Sequence, residues 1–471
     1  MRLKKTLFFM LACFFVFVSQ TSAQSIIREQ DRQIRDRETR ELEVTEKVPV
    51  EKLDFILEYG AWVFADYRNY KNLDNDRELE DWIKDRYTID TRVWGSGTYY
   101  QLLMLYGRLK NVYTWLPNVS SDYTGIKDDF EGPVVDVLYG LVFLHDRYNI
   151  PLSLKVGRQF LTLGSGIAYS DIHDGIELGY IPGRGFGIRG FISKTKEFDD
   201  NIDISVPGYK DENRRFFFAV EAHYAAVHDV AFAYVLVQRD RSHECPTDPT
   251  QNYTYNSEYL GLGIAGERPL FAYWAEGIKE FGKSYTDASR TELAVKDVDA
   301  WAFDVGAKLT PDFYSHPILE AEIAYGSGDK DRISVTDTVG GNINGRDTNF
   351  LYFGIFDAGY TMAPRLSNLF IYRIGLSLKP LEFIPYVGNN FAVGSRIYVY
   401  QKAQKEGGIY DVEASEPSPD VGEELDFFVH WKVYENLYFT LRYGVFFPGA
   451  AYPRGIREKS KFLYVQTRMT F

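Results

Sequence analysis

From about residue 53 to its last residue the chain repeats one pattern, roughly 16–18 segments of about 10 residues that alternate apolar and polar side chains. In DAWAFDVGAKL, Trp301, Phe303, Val305, Ala307 and Leu309 alternate with Ala300, Ala302, Asp304, Gly306 and Lys308. ELDFFVHWKV sets Leu425, Phe427, Val429, Trp431 and Val433 against Asp426, Phe428, His430 and Lys432. The chain stops in the same phase on KFLYVQTRMTF, with Leu463, Val465, Thr467, Met469 and Phe471 opposite Tyr464, Gln466, Arg468 and Thr470. A strand apolar on one side only is half-buried. Two architectures use such strands: a soluble sandwich, and a barrel wall with lipid outside and water inside.

The connections separate the two. NLYFTLRYGV follows ELDFFVHWKV after only Glu435-Asn436 and the strand ends, which reads as a tight hairpin. Elsewhere long polar stretches intervene, at 117–132, 196–213, 242–255, 328–349 and 403–420. Short turns at one end and long loops at the other are the asymmetry of an outer-membrane barrel, and about 10 tilted residues cross a bilayer. The 35 Tyr and 34 Phe fit strands whose ends sit at a membrane interface. The expectation is an all-β chain whose residues 51–471 form a single transmembrane antiparallel β-barrel. On that reading Phe471 ends a barrel strand, like the C-terminal aromatic signal of outer-membrane barrels.

The N-terminus points to export. MRLKKTLFFMLACFFVFVSQTSA carries Arg2, Lys4 and Lys5, then an apolar run from Leu7 to Val18, then Thr21-Ser22-Ala23. Residues 1–23 read as a cleaved signal peptide, since the run is shorter than the roughly 20 residues a transmembrane anchor needs. Cys13, preceded by Met10-Leu11-Ala12, makes a poor lipoprotein box. Cleavage leaves one cysteine, Cys245, and hence no intrachain disulfide. Residues 24–50 are densely charged and read as a short solvated helix or a disordered periplasmic tail, with a coiled coil or a periplasmic export partner as further options. The net charge of −13 argues against nucleic acid as a partner. The expected location is the outer membrane of a Gram-negative cell, crossed many times and in contact with its lipid.

GEELDFFVHWKVYENLYFTLRYGVFFPGAAY, residues 422–452, resembles the C-terminal region of the alginate-export outer-membrane barrel family. AYGSGDKD (324–331), LSNLFIYRIGLSLKP (366–380) and GSRIYVYQK (394–402) follow the family order. LKVGRQFLTLGSG (154–166) and GFGIRGF (185–191) look like its Gly-Arg-Gln strand and the Arg-Gly strand after it. The resemblance is collinear over about 150–471. It implies an 18-stranded barrel with a constricted, cation-lined pore passing an acidic polysaccharide such as alginate, and no cofactor.

A polyanion crosses a narrow, low-dielectric pore only if its charge is met along the way. By strand phase, Lys308, Arg373, Arg396, Lys432, Arg442 and Arg468 lie on polar faces, and the resemblance adds Arg158 and Arg189. The alternative is that these cations pair with carboxylates such as Asp304, Glu320, Glu322 and Asp426 and simply rigidify the interior. Asp171, Asp174 and Glu177, in YSDIHDGIELGYIPGRG, read either as constriction acids or as part of an exposed loop. GSGDKD (326–331) lacks the twelve-residue calcium pattern and reads as a turn. GRGFG (183–187) has no Lys-Ser/Thr after it, so it is not a phosphate loop.

Three function classes follow. The first is a channel, either for an anionic or polar polysaccharide or for general solutes. The second is a barrel-borne enzyme, for which the seven His offer no neighbouring nucleophile motif. The third is a plugged scaffold or adhesin.

Overall fold

Strict alternation becomes a closed wall in the computed structural model, which describes residues 30, 32–34, 54–75, 81–121, 123–183, 185–196, 202, 213–242, 255–285, 295–336, 345–385 and 387–471. The expected signal peptide, all but four residues of the 24–50 tail, and Cys245 lie outside the described residues. The first strands are β1 (Phe55–Lys71), β2 (Asp85–Tyr99), β3 (Leu103–Trp115), β4 (Asp128–Phe143), β5 (Leu152–Leu163) and β6 (Tyr169–Gly183). Next come β7 (Phe186–Lys194), β8 (Arg215–Ala225), β9 (Asp229–Asp240), β10 (Tyr255–Arg268), β11 (Phe271–Tyr285) and β12 (Val295–Leu309). The last are β13 (Ile318–Gly326), β14 (Leu369–Leu378), β15 (Phe391–Lys402), β16 (Asp420–Tyr434), β17 (Leu437–Pro448) and β18 (Ser460–Thr470).

Each strand pairs antiparallel with its sequence neighbours in one 18-stranded sheet, and β18 pairs with β1 to close it. Closure runs from Trp62↔Thr470 to Lys71↔Lys461. The Phe471 backbone completes it, donating to the Ala61 carbonyl at 2.9 Å and accepting from the Ala61 N–H at 3.1 Å. A closed barrel leaves no sheet edge, the condition for a β-structure to cross a bilayer.

Alternation sorts the side chains. Leu105, Leu138, Leu178, Leu262, Ile323 and Ile374 are exposed on the outside, with Leu262 at 68%. Asp66, Arg92, Arg108, Glu276, Glu280 and Asp304 are buried inside. This inverts a soluble protein and matches a lipid-facing belt around a polar interior. Phe55, Tyr59, Tyr99, Tyr224, Phe271, Tyr434 and Phe471 stand exposed at the short-turn end, where an interfacial aromatic girdle belongs.

The connections 100–102, 226–228, 269–270 and 435–436 lie at one end, and the longest ones, such as 327–368 and 403–419, at the other. Two expectations change. The 117–132 loop is shorter, because Asp128–Glu131 continue β4 and pair with Val112–Trp115 of β3. The 169–185 stretch is mostly strand rather than loop, since β6 pairs along its length with β5.

Candidate functional site

Two chain segments fold into the barrel and narrow it. The first is the β5–β6 hairpin. Pairing of β4 with β5 stops at Leu138↔Arg158, so beyond it the hairpin parts from the wall. Gly157, at φ +132°, faces Gly175 across the hairpin at this point. A Cβ on Gly157 would lie 2.2 Å from the Leu138 carbonyl oxygen, so only glycine fits here. Beyond this pair, Phe160 and Ile172 pack on Met104, Tyr106, Val137 and Tyr139, inward-facing residues of β3 and β4. The hairpin therefore leans into the lumen. Its turn is held by carboxylates of the wall: Glu221 on β8 accepts from the Gly164 N–H at 2.8 Å, and Glu276 on β11 from the Ser165 N–H at 3.1 Å.

The second segment is the β13–β14 connection, residues 327–368. The sequence pattern marks 328–349 as a polar loop, but Phe350, Leu351, Tyr352, Phe356, Ala358, Met362 and Leu366 after it are all buried in the main core cluster. The backbone N–H groups of Phe353, Gly354 and Ile355 donate to the carbonyls of Ala168, Ile167 and Gly166, each at 3.0 Å, joining the two infolded segments. On one side, Glu280 accepts from the Leu351 N–H at 3.0 Å, and the Tyr259 hydroxyl donates to the Leu351 carbonyl at 2.5 Å. On the other, the Glu424 carboxylate accepts from the N–H groups of Tyr360, Thr361 and Met362 at 2.6, 2.7 and 2.9 Å. The loop thus bridges the lumen from β10 and β11 to β16. Sequence reading missed it, and an apolar run, LYFGIF, beside a long polar connection was the signal available. GSGDKD is a turn: Asp329 accepts from the Asp331 N–H at 2.9 Å and the Thr348 N–H at 3.0 Å. At the long-loop end Tyr452 donates to Asp411 at 2.8 Å; burial and that carboxylate hold the Tyr452 phenol well above its usual pKa.

The residues singled out in the sequence separate by environment. Arg373 points inward and is paired with Glu320 at 2.5 Å and Glu322 at 2.8 Å. Lys308 lies 3.7 Å from Glu320 and over the Trp274 ring. Arg189 points inward to Glu221 at 3.0 Å and donates to the Thr162 carbonyl at 2.6 Å. These three sit within carboxylate pairs, as the interior-filling alternative describes.

Arg158 faces the other way. It shares a face with exposed Leu138, Leu154 and Val156, pairs with Asp174 at 2.8 Å, and donates to the Val135 carbonyl at 2.9 Å where β4 and β5 part. Of the three acids proposed for a constriction, Asp174 is therefore on the outward face, while Asp171 and Glu177 are in the opposite phase of β6.

Arg396, Lys432, Arg442 and Arg468 form a different group, on four consecutive strands, β15 to β18. Arg396 lies over the Phe428 ring, Lys432 over Tyr438, Arg442 over Tyr360 and Tyr464, and Arg468 over Tyr438 at 4.3 Å. A cation over a ring face keeps its charge. The Arg442 Nε–H has no acceptor among the described residues. Lys432, Thr440, Arg442, Gln466 and Arg468 line a cavity of about 270 Å³ beneath the loop.

Residues 142–466 match the profile of the family described as Alginate export. The chain belongs to the alginate-export family. No curated protein matches it. Among solved structures it resembles Pseudomonas aeruginosa OccK9 (OpdG), at 12% identity and TM-score 0.55, covering 89% of this chain and 98% of that one. It also resembles P. aeruginosa OccK8 (OprE), at 10% identity and TM-score 0.55 over 89% and 99% of the two chains. OccK5 (OpdH) of the same organism matches at 11% and 0.53, over 88% and 98%. At these identities the likeness is one of fold. With the family match, it makes this alginate-export protein an outer-membrane β-barrel channel, in contact with lipid.

Proposed function

We propose that the barrel passes an anionic polysaccharide, of the uronic-acid type that the family name implies, along the wall formed by β15 to β18. The observation that carries this reading is the set Arg396, Lys432, Arg442 and Arg468 on adjacent strands, held over aromatic rings, with Lys432, Arg442 and Arg468 bordering one cavity under the constricting loop. Rings flanked by guanidinium groups suit a sugar acid, offering an apolar face to the pyranose and paired donors to its carboxylate. Arg373, Lys308 and Arg189 act on this reading by holding the interior in shape. Arg158 and Asp174, at the β4–β5 junction, serve the wall, and Asp171 and Glu177 remain proposed constriction acids. The tail's export partner and the cleaved leader remain proposals of the same kind.

The test is single-channel current from refolded protein in a planar bilayer, under a salt gradient and then with added uronate oligomers. Anion selectivity, and current interrupted by the oligomers, is the expected result. A cation-selective pore indifferent to uronates would leave a general porin in its place.

A further inference from the structure

Three of the four described residues of the tail are buried, where the sequence pattern suggests a solvated segment. Gln30, Gln33 and Ile34 are each at most 5% exposed and sit inside the barrel. They are helical, and spacing of three and four residues puts them on one face. That face meets the constricting loop. The Gln30 carboxamide donates to the carbonyls of Tyr360, at 2.9 Å, and Thr361, at 2.6 Å. Gln33 reaches the Ala363 carbonyl at 3.4 Å, and Arg32 donates to the Gly354 carbonyl. Ile34 packs with Tyr360, Phe428 and Tyr464, and borders the cavity that Arg442 and Arg468 line.

The loop at Tyr360–Met362 is thereby gripped from two sides. Its N–H groups go to Glu424 of the wall, and two of its carbonyls go to Gln30 of the tail. The two grips differ in what holds them. Glu424 is fixed within β16, whereas Gln30 belongs to a segment preceding β1, whose first residue lies at the short-turn end. Twenty residues separate Ile34 from Phe55, a tether of about 65 Å if extended, long enough for the segment to leave the lumen with the barrel intact. Carboxamide bonds to backbone carbonyls are also neutral and individually modest, so water replaces them at little cost.

We propose that the Gln30–Ile34 segment is a built-in plug, seated from the short-turn side, that occupies the channel beneath the constricting loop until it is withdrawn. The proposal rests on the protein being a channel and not on which polymer it carries, so its test uses potassium chloride alone. Protein lacking residues 24–40 is refolded and compared with protein starting at residue 24, each shown to be folded by its resistance to unfolding in detergent below boiling. The deletion is expected to raise single-channel conductance about threefold or more. A synthetic peptide of residues 24–40, added to one side of the bilayer only, should return it to the lower level.

Gln30→Ala with Gln33→Ala keeps the chain length and should raise the fraction of time spent in the high-conductance state. That variant decides the matter if the deletion does not fold. Equal, non-zero conductance in all of these proteins would overturn the plug and leave the channel standing. No conductance from any of them, though folded, would overturn both.

Discussion

Two sets of inward side chains handle charge in opposite ways. On β8, β11 and β16 the inward carboxylates Glu221, Glu276, Glu280 and Glu424 each accept a backbone N–H from a segment folded into the barrel. On β15 to β18 the inward cations Arg396, Lys432, Arg442 and Arg468 lie over aromatic rings. The chemistry of the groups accounts for this division. An infolded loop without regular structure carries unpaired N–H groups that only an acceptor can satisfy, and a carboxylate accepts several at once. A guanidinium only donates, so it cannot take up those N–H groups, and here it stacks on rings instead. The acids hold the infolded segments in place, and on the proposed reading the cations face what passes.

Breaking the acidic side should have the largest effect. Glu424→Ala strands three N–H groups and frees one end of the loop; charge-assisted bonds of this kind sum to about 4 kcal/mol. The expected outcome is a noisy, enlarged single-channel current together with a lowered unfolding midpoint in urea. Current indistinguishable from the wild type would show that the loop is held elsewhere.

Glu280→Gln, at the other end of the loop, keeps an acceptor for the Leu351 N–H and should give a milder version, with more open-state noise and little change in mean conductance.

Neutralising the basic side, with Arg396, Arg442 and Arg468 all changed to Gln, should leave conductance and stability nearly intact. It should move the reversal potential towards cation preference and weaken uronate block about tenfold. Block of the wild type should also weaken in high salt, where screening shortens to about 3 Å at 1 M. Selectivity that survives the triple substitution would break the comparison, because the cations would then be structural too.

The smallest effect belongs to Arg158→Ala. Its partner Asp174 is on the outward face and both side chains are partly exposed, so the loss is about 1 kcal/mol or less with selectivity unchanged. A shift in reversal potential would place Arg158 on the conduction path after all.

Much of this was legible in the sequence. Period-two alternation fixes which side chain of a strand faces out, and so it puts Arg373, Arg396, Arg442 and Arg468 on inner faces. Arg158 entered the pore set through the family likeness, which says nothing of side-chain direction; it shares its face with Leu154 and Val156 and points outward. Alternation fails on residues 350–366, where a segment buried on all sides has no reason to alternate.

Strand order and the inward face of most strands follow from local rules, because neighbouring strands in an antiparallel barrel are neighbours in sequence, whereas the repeat alone leaves the strand count at roughly 16–18. What fills the barrel follows from no local rule. The constricting loop, the leaning hairpin and the seat of Gln30 depend on groups far apart in the chain: Tyr360 meets Glu424, 64 residues on, and Gln30, 330 residues back, inside the closed 18-strand barrel. Those contacts have no period and no local signature. They are chosen by which backbone donors and carbonyls are left unpaired inside a finished wall, and only the tertiary structure contains that information.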